Sequence, residues 1–390
     1  MKRIALIMHG GIAPRGWDVP AITGLIRDLS NDFDITVYTG TTPGGIGPPV
    51  GCGNAEVRPL PYYHGDPLIK FVILAVRAFR RDHIFRPYSL VHGFWGLPGG
   101  LAAVLAGKLA GIQSVVSFLG GEAASLPAIG YGNMRKAASR SLTLWTSRRT
   151  DELVFLTRFQ LDRLQGFGFA RTDGVHIIPF GSDPELFPPV ALRQAGPPYH
   201  LLHIGHLNQV KDQQTLLNAF RDISRRTDCQ LRIVGEGALE SRLRRQAREL
   251  GISDRVAFLG FVHHDELWPH FEWAHLLIHS SLYEGEGVVF AEAAASGVPV
   301  CGTRVGLLAD LSAGFAVTVD PGDSVALAEA ASNLLEDNAR MESLSSEGRA
   351  WAEEHTAQWS ASRYAELYTR RIEHRTQSKL YFHPGLVDQQ

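Results

Sequence analysis

Two carboxylates, Glu284 and Glu292, stand in the run Ser280-Ser281-Leu282-Tyr283-Glu284-Gly285-Glu286-Gly287-Val288-Val289-Phe290-Ala291-Glu292. A short apolar stretch ending at His279 precedes it, and the pattern predicts a helix that begins near Gly287 and stops at Gly297. Free backbone N–H groups at Gly287, Val288 and Val289 then face a crevice, a natural place for a phosphate or a sugar hydroxyl, and Gly285 and Gly287 let a ligand come close to the backbone. Carboxylates at Glu284 and Glu292 can accept bonds from sugar hydroxyls; they equally suit a plainer role, favouring a helix amino end by its dipole. A second loop, Ile204-Gly205-His206-Leu207-Asn208-Gln209-Val210-Lys211-Asp212, carries an ammonium group. Lys211 could be a fixed charge for a diphosphate leaving group in place of a metal, or a solvated surface lysine. His9-Gly10-Gly11 offers either close approach of a ligand or a tight turn, and Phe118-Leu119-Gly120-Gly121-Glu122 offers a carboxylate for an incoming hydroxyl or an ordinary loop residue.

These loops need strands to hold them. Short apolar runs at Ile4 to Met8, Asp34 to Tyr38, Ser89 to His92, Ser114 to Phe118 and Leu153 to Leu156 alternate with segments of helical period, among them Pro20 to Ser30 and Leu101 to Ala110. A second series has strands at Leu201 to Ile204, Gln230 to Val234, Val256 to Leu259, Leu276 to His279 and Val298 to Cys301. The proline-rich stretch from Asp183 to Tyr199 separates them. The alternation predicts an α/β chain of two doubly wound lobes, at 1–188 and 200–358, with the linker at 189–199. In such open parallel sheets ligands bind beyond the carboxyl ends of the strands, where all four loops lie.

Composition removes several function classes. The 390 residues carry a net charge of −2, which does not favour nucleic acid. The balance is uneven, with 19 basic and 14 acidic residues in 1–188 against 19 and 26 in the remainder, so the first half suits an anionic acceptor or surface. Cys52, Cys229 and Cys301 form no CxxC, which argues against a disulfide framework and a cysteine metal site. The 16 histidines show no HExxH spacing, and no GxGxxG or Walker pattern occurs, so dehydrogenase and NTPase readings are weak. No run of about 18 apolar residues is present, and the amino terminus lacks a signal-peptide core, so a cytoplasmic protein is expected.

The segment EGEGVVFAEAAASGVPVC, from Glu284 to Cys301, resembles the Glu-x7-Glu signature of the retaining GT-B glycosyltransferases called family four. IGHLNQVKDQQTLLNAF, IVGEGALESRL, FLGFVHHDELWPHF, IIPFGSDPELF and VHGFWGLPGG are similar to other family segments in the same order. The resemblance runs from the first strand to about residue 335. It implies a GT-B fold with a cleft between the lobes, a nucleoside diphosphate sugar as donor, a hydroxyl acceptor (sugar, glycan or lipid-linked), no metal and no bound cofactor. By that resemblance Glu284 touches the transferred sugar, Glu292 holds the ribose, and Lys211 with Gly205 and His206 meets the diphosphate. The backbone of Gly285, Gly287, Val288 and Val289 meets sugar and phosphates, and Gly10 and Gly11 cap the donor. Glu122 is the acceptor-side candidate.

Three positions depart from the pattern. His206 replaces an arginine, Leu119 replaces a histidine, and Glu286 replaces a phenylalanine, where a carboxylate is expected to alter sugar choice or repel phosphate. A GT-B epimerase or phosphorylase and a non-catalytic sugar-nucleotide or glycan-binding protein are the rival readings. Lys70 to Arg86 mixes apolar and basic residues as a helix lying on an anionic membrane does, or as a core helix with a basic outer face does. A last helix, 359–378, is expected to cross back to the first lobe, as is common in GT-B proteins.

Overall fold

The computed structural model describes residues 1–10, 19–41, 51–63, 65–190, 196–311 and 314–381, with side chains to residue 374. Gly11 and residues 191–195 of the expected linker lie outside them. The first lobe holds seven strands: β1 (Lys2–Met8), β2 (Phe33–Gly40), β3 (Glu56–Leu60), β4 (Leu90–Phe94), β5 (Gln113–Phe118), β6 (Glu152–Phe155) and β7 (Val175–Ile177). The second holds six: β8 (Tyr199–Ile204), β9 (Cys229–Val234), β10 (Val256–Gly260), β11 (Leu276–His279), β12 (Val300–Thr303) and β13 (Ala316–Val319). The orders are β3-β2-β1-β4-β5-β6-β7 and β10-β9-β8-β11-β12-β13, and every pairing is parallel. Ile4 to Met8 are all buried, as a central strand covered by helices on both faces must be.

The two orders place a topological switch between β1 and β4 and another between β8 and β11. At a switch, loops from neighbouring strands part in opposite directions and leave a crevice. Leu276 and Leu277 of β11 pair with Leu201 and Leu202 of β8, so the loops carrying Lys211 and Glu284 leave adjacent strands.

The chain crosses between lobes twice, side by side. Ser182 and Thr356 form a parallel bridge, and the Ala357 N–H donates to the Ser182 carbonyl at 2.8 Å. Phe187 already packs in the core of the second lobe with Phe271 and Phe290, ahead of residue 189 where the proline content put the linker. The last helix, Ala357–Tyr381, packs its Ala361, Tyr364, Leu367, Tyr368 and Ile372 against Ile4, Leu6, Leu90 and Val115 of the first lobe. Its tyrosines end in a buried polar chain: Tyr368 Oη lies 2.5 Å from His92 Nδ1, His92 Nε2 is 2.9 Å from Ser117 Oγ, and Ser117 Oγ is 2.9 Å from Tyr364 Oη.

Candidate functional site

The sequence brings Glu284 and Lys211 together through two staples between their loops. Leu282 N–H donates to the Val210 carbonyl at 2.8 Å, and Ser280 Oγ donates to the Lys211 carbonyl at 2.9 Å. Lys211 Nζ then lies 2.6 Å from Glu284 Oε1. The same oxygen accepts from Ser281 Oγ at 2.6 Å and lies 3.0 Å from His279 Nε2. Facing a carboxylate, His279 carries its proton on Nε2, and its Nδ1 is buried with no partner among the described residues. Behind it His203 stacks at 5.2 Å, held by the Ile278 carbonyl at 3.1 Å and by the Gln213 amide. Three donors thus converge on one oxygen of Glu284, and no protein group among the described residues bonds the other.

The electrostatics follow from this packing. Burial alone would raise the Glu284 carboxyl, but the Lys211 ammonium and the His279 hydrogen bond outweigh it and hold the group well below the usual carboxylate range. Burial holds His203 at about 3, neutral at working pH, and lowers His279 despite the pull of Glu284. The pair is therefore an ionised carboxylate and an ammonium on a neutral imidazole floor.

Gly287 takes φ 82° and caps the helix Val288–Ser296, whose residues from Val289 onward are buried. Gly285 sits where the first lobe touches this loop: a Cβ on it would stand 2.4 Å from the Leu119 carbonyl oxygen, and its own carbonyl accepts from Thr157 Oγ1 at 2.7 Å. Glu292 lies one helical turn inside, with Oε1 at 2.7 Å from His264 Nε2. Nothing in the sequence singled out His264 beyond its place in His263-His264; its partner became visible only when β10 set the turn His264–Glu266 beside the helix.

Other expectations fare differently. Glu122 is buried and turned inward, accepting from the N–H groups of Gly96 at 3.1 Å, Leu119 at 3.2 Å and Gly120 at 2.7 Å. It shapes the loop; both its oxygens are taken up by backbone donors. Burial raises its carboxyl against the pull of those donors. The expectation that Glu286 faces sugar or phosphate is corrected: its carboxylate points to the crossing between lobes and accepts from Phe180 N–H at 3.0 Å and Gly181 N–H at 3.2 Å. An extended segment would put residues two apart on the same side, but this loop is no strand and runs into Gly287 at φ 82°, so Glu284 turns to Lys211 while Glu286 turns to Phe180 and Gly181. His206 is exposed, with its carbonyl accepting from Gln213 at 2.9 Å; Gly205 lines Lys211, and among the described residues none comes within 4 Å of a Cβ built on Gly10. Among the described residues no group of three or more His, Cys, Asp and Glu could hold a metal ion.

Known proteins share both sequence and fold with this chain. Residues 10–181 match the model of the glycosyl transferase 4-like domain, and residues 190–351 match that of glycosyl transferases group 1. A GDP-mannose-dependent alpha-(1-6)-phosphatidylinositol monomannoside mannosyltransferase of Mycobacterium tuberculosis is 32% identical over 228 residues, 54% of this chain and 58% of that protein. A D-inositol 3-phosphate glycosyltransferase of Corynebacterium diphtheriae is 32% identical over 207 residues, 48% of each. The chain therefore spans about half the length of these curated relatives. Sucrose-phosphate synthase from Thermosynechococcus elongatus superposes with a TM-score of 0.80 at 22% identity, covering 95% of this chain and 99% of that one. Anabaena HepE, crystallised with UDP and glucose, does so at 0.74 and 18%, covering 95% and 100%.

Proposed function

Because the chain belongs to the GT-B glycosyltransferases, we propose that it moves a hexosyl unit from a nucleoside diphosphate sugar to a hydroxyl, with retention at the anomeric carbon and without a metal ion. The observation that carries this reading is the Lys211–Glu284 pair at the β8/β11 switch, with one carboxylate oxygen left open. In the reaction the bond from the anomeric carbon to the diphosphate breaks, and the acceptor oxygen bonds to the same carbon from the same face. The acceptor proton passes to the departing phosphate oxygen. Negative charge grows on the diphosphate and positive charge on the sugar ring; Lys211 and the N–H groups of Gly287, Val288 and Val289 answer the first, and Glu284 the second. Glu292 takes the ribose hydroxyls. Gly205, His206, Gly285 and Gly10 border the donor, with Gly11 beside it in sequence.

The acceptor belongs at a membrane surface in this reading. The helix Leu68–Phe85 buries Phe71, Val72, Ala75 and Phe79 but leaves Leu68, Ile69, Ile73, Ile84 and Phe85 exposed, the last by 85%. Arg77, Arg80, Arg81 and Arg86 are exposed with them. Apolar and basic groups on one outer face suit an anionic bilayer. No helix among the described residues is long and apolar enough to cross a membrane. The mannosyltransferase relative, whose name gives a phosphatidylinositol mannoside as its substrate, supports a lipid-linked acceptor.

A thermal-shift series with UDP-, GDP- and ADP-sugars tests the donor, since a ligand that binds the folded state raises the midpoint. One base class should raise it, and mass analysis should show sugar on an added hydroxyl acceptor. Donor rearranged without an acceptor would favour an epimerase, and binding with no turnover across an acceptor panel would favour a binding protein. No shift with any donor would sink the proposal.

A further inference from the structure

Glu286 stands one residue from Gly285 and two from Glu284, yet its carboxylate serves another part of the molecule. It is 2% exposed and bonds the N–H groups of Phe180 and Gly181, on the first of the two strands that cross between the lobes. That strand lies against the return crossing through the Ser182–Thr356 bridge. The backbone of Glu286 is tied as well, its carbonyl accepting from Leu307 N–H at 2.8 Å. Three further bonds join the lobes beside it. Thr157 Oγ1 donates to Gly285, and Asp310 accepts from the N–H groups of Arg158 and Phe159 at 2.6 and 2.8 Å. Three consecutive residues are therefore fixed to three places: Glu284 to Lys211, Gly285 to Thr157, and Glu286 to the crossing strand.

We propose that Glu286 is a positioning residue, which bolts the Glu284 loop to the crossing strand so that lobe orientation and the open oxygen of Glu284 are set together. A loop flanked by glycines on both sides of Glu286 would otherwise have several backbone states. A buried carboxylate with two backbone donors selects one of them. The tether itself is independent of what the cleft binds; only its catalytic consequence rests on the glycosyltransferase reading.

The test uses the full chain and Glu286→Gln, which keeps the volume but offers one acceptor to two donors. Hydrogen exchange is measured first, with no substrate. The amides of Phe180 and Gly181, and those of residues 284–287, should exchange at least about tenfold faster in the variant, because opening is reported at the amides released. Unchanged exchange overturns the tether, whatever the enzyme does. Transfer kinetics follow with the donor found by thermal shift. The expected result is a kcat lowered at least fivefold with the donor Kd within about twofold, the mark of a group lost for alignment more than for binding. Thr157→Val should give a similar split and combine with Glu286→Gln less than additively, as neighbours on one loop do. A variant with faster exchange but wild-type kcat would overturn the positioning role. A wild-type chain that exchanges as expected but transfers no sugar would fault the functional reading and leave the tether standing.

Discussion

One oxygen of Glu284 is taken by Lys211, Ser281 and His279, and the other has no bonding partner among the described residues. A Gln side chain cannot serve both sides, since either its amide N–H₂ meets the ammonium or it meets the ligand as a donor. Glu284→Gln is therefore expected to lower transfer at least about tenfold, about 1.4 kcal/mol of barrier, with the thermal midpoint little changed. Lys211→Ala should cost at least as much, because in the proposed reaction only backbone N–H groups then oppose the growing diphosphate charge, and steady-state transfer assays check both. His264 bonds Glu292, and in the proposed reaction it orients that carboxylate toward the ribose. His264→Ala should raise the donor KM several-fold, about 1 kcal/mol, with kcat held, as loss of uniform binding does. At this scale the sequence reveals residue type and loop but not direction. The meeting of Glu284 and Lys211 was legible because both follow strand ends. The inward turn of Glu122, the outward use of Glu286 and the support from Ser281 and His279 were not, because side-chain direction depends on neighbours distant in the chain.

The strands that went unread share a physical cause. β3, β7 and β13 are all sheet edges, with one neighbour each, and edge strands carry a weaker apolar signal. β3 reads Glu-Val-Arg-Pro-Leu, and its Pro59 is tolerable only because an edge has hydrogen-bonding groups to spare. The central strands, buried on both sides, announced themselves by unbroken apolar runs. The helix Leu68–Phe85 is the instructive case between: its sequence fitted a core helix and a membrane-surface helix, and the structure gives it a buried face and an exposed apolar one. Arg77 and Arg80 have no ion-pair partner among the described residues and are free for lipid headgroups. Arg77→Glu with Arg80→Glu should weaken pelleting with anionic vesicles by about tenfold or more at low salt, with little effect on donor binding. High salt should weaken the wild type in the same direction, since surface charge is screened within about 10 Å at 0.1 M. Pelleting that ignores both charge and salt would remove the surface from consideration.

The whole molecule has opposing pH sensitivities. Burial holds His92 and His203 at about 3, while the unfolded chain titrates them near 6.5. Their folded values are depressed, so the stability of the neutral rings is complete above 6.5 and declines as pH falls toward 3. Each contributes about 1.4 kcal/mol per pH unit across that window. Glu286 runs the other way. Burial, aided by the nearby Glu292, pushes it up to about 8 against its two N–H donors, and the hydroxyl of Tyr364 also lies within its field. A raised carboxyl favours the folded state below 4.5 and loses that advantage as pH rises through 8. The thermal midpoint should thus fall on acidification below 6.5, and Glu286→Gln should flatten its decline between pH 6.5 and 8, where the folded carboxyl still holds a proton that the unfolded one has lost. Calorimetric scans across that range measure both limbs.

The final helix gives this architecture a temporal consequence. Tyr364, Leu367 and Tyr368 complete a core that otherwise belongs to the first strands made. During synthesis the strands of the first lobe must wait, with His92 lacking its Tyr368 partner, until residues 361–372 emerge from the ribosome. The first lobe is made before the second and completed after it.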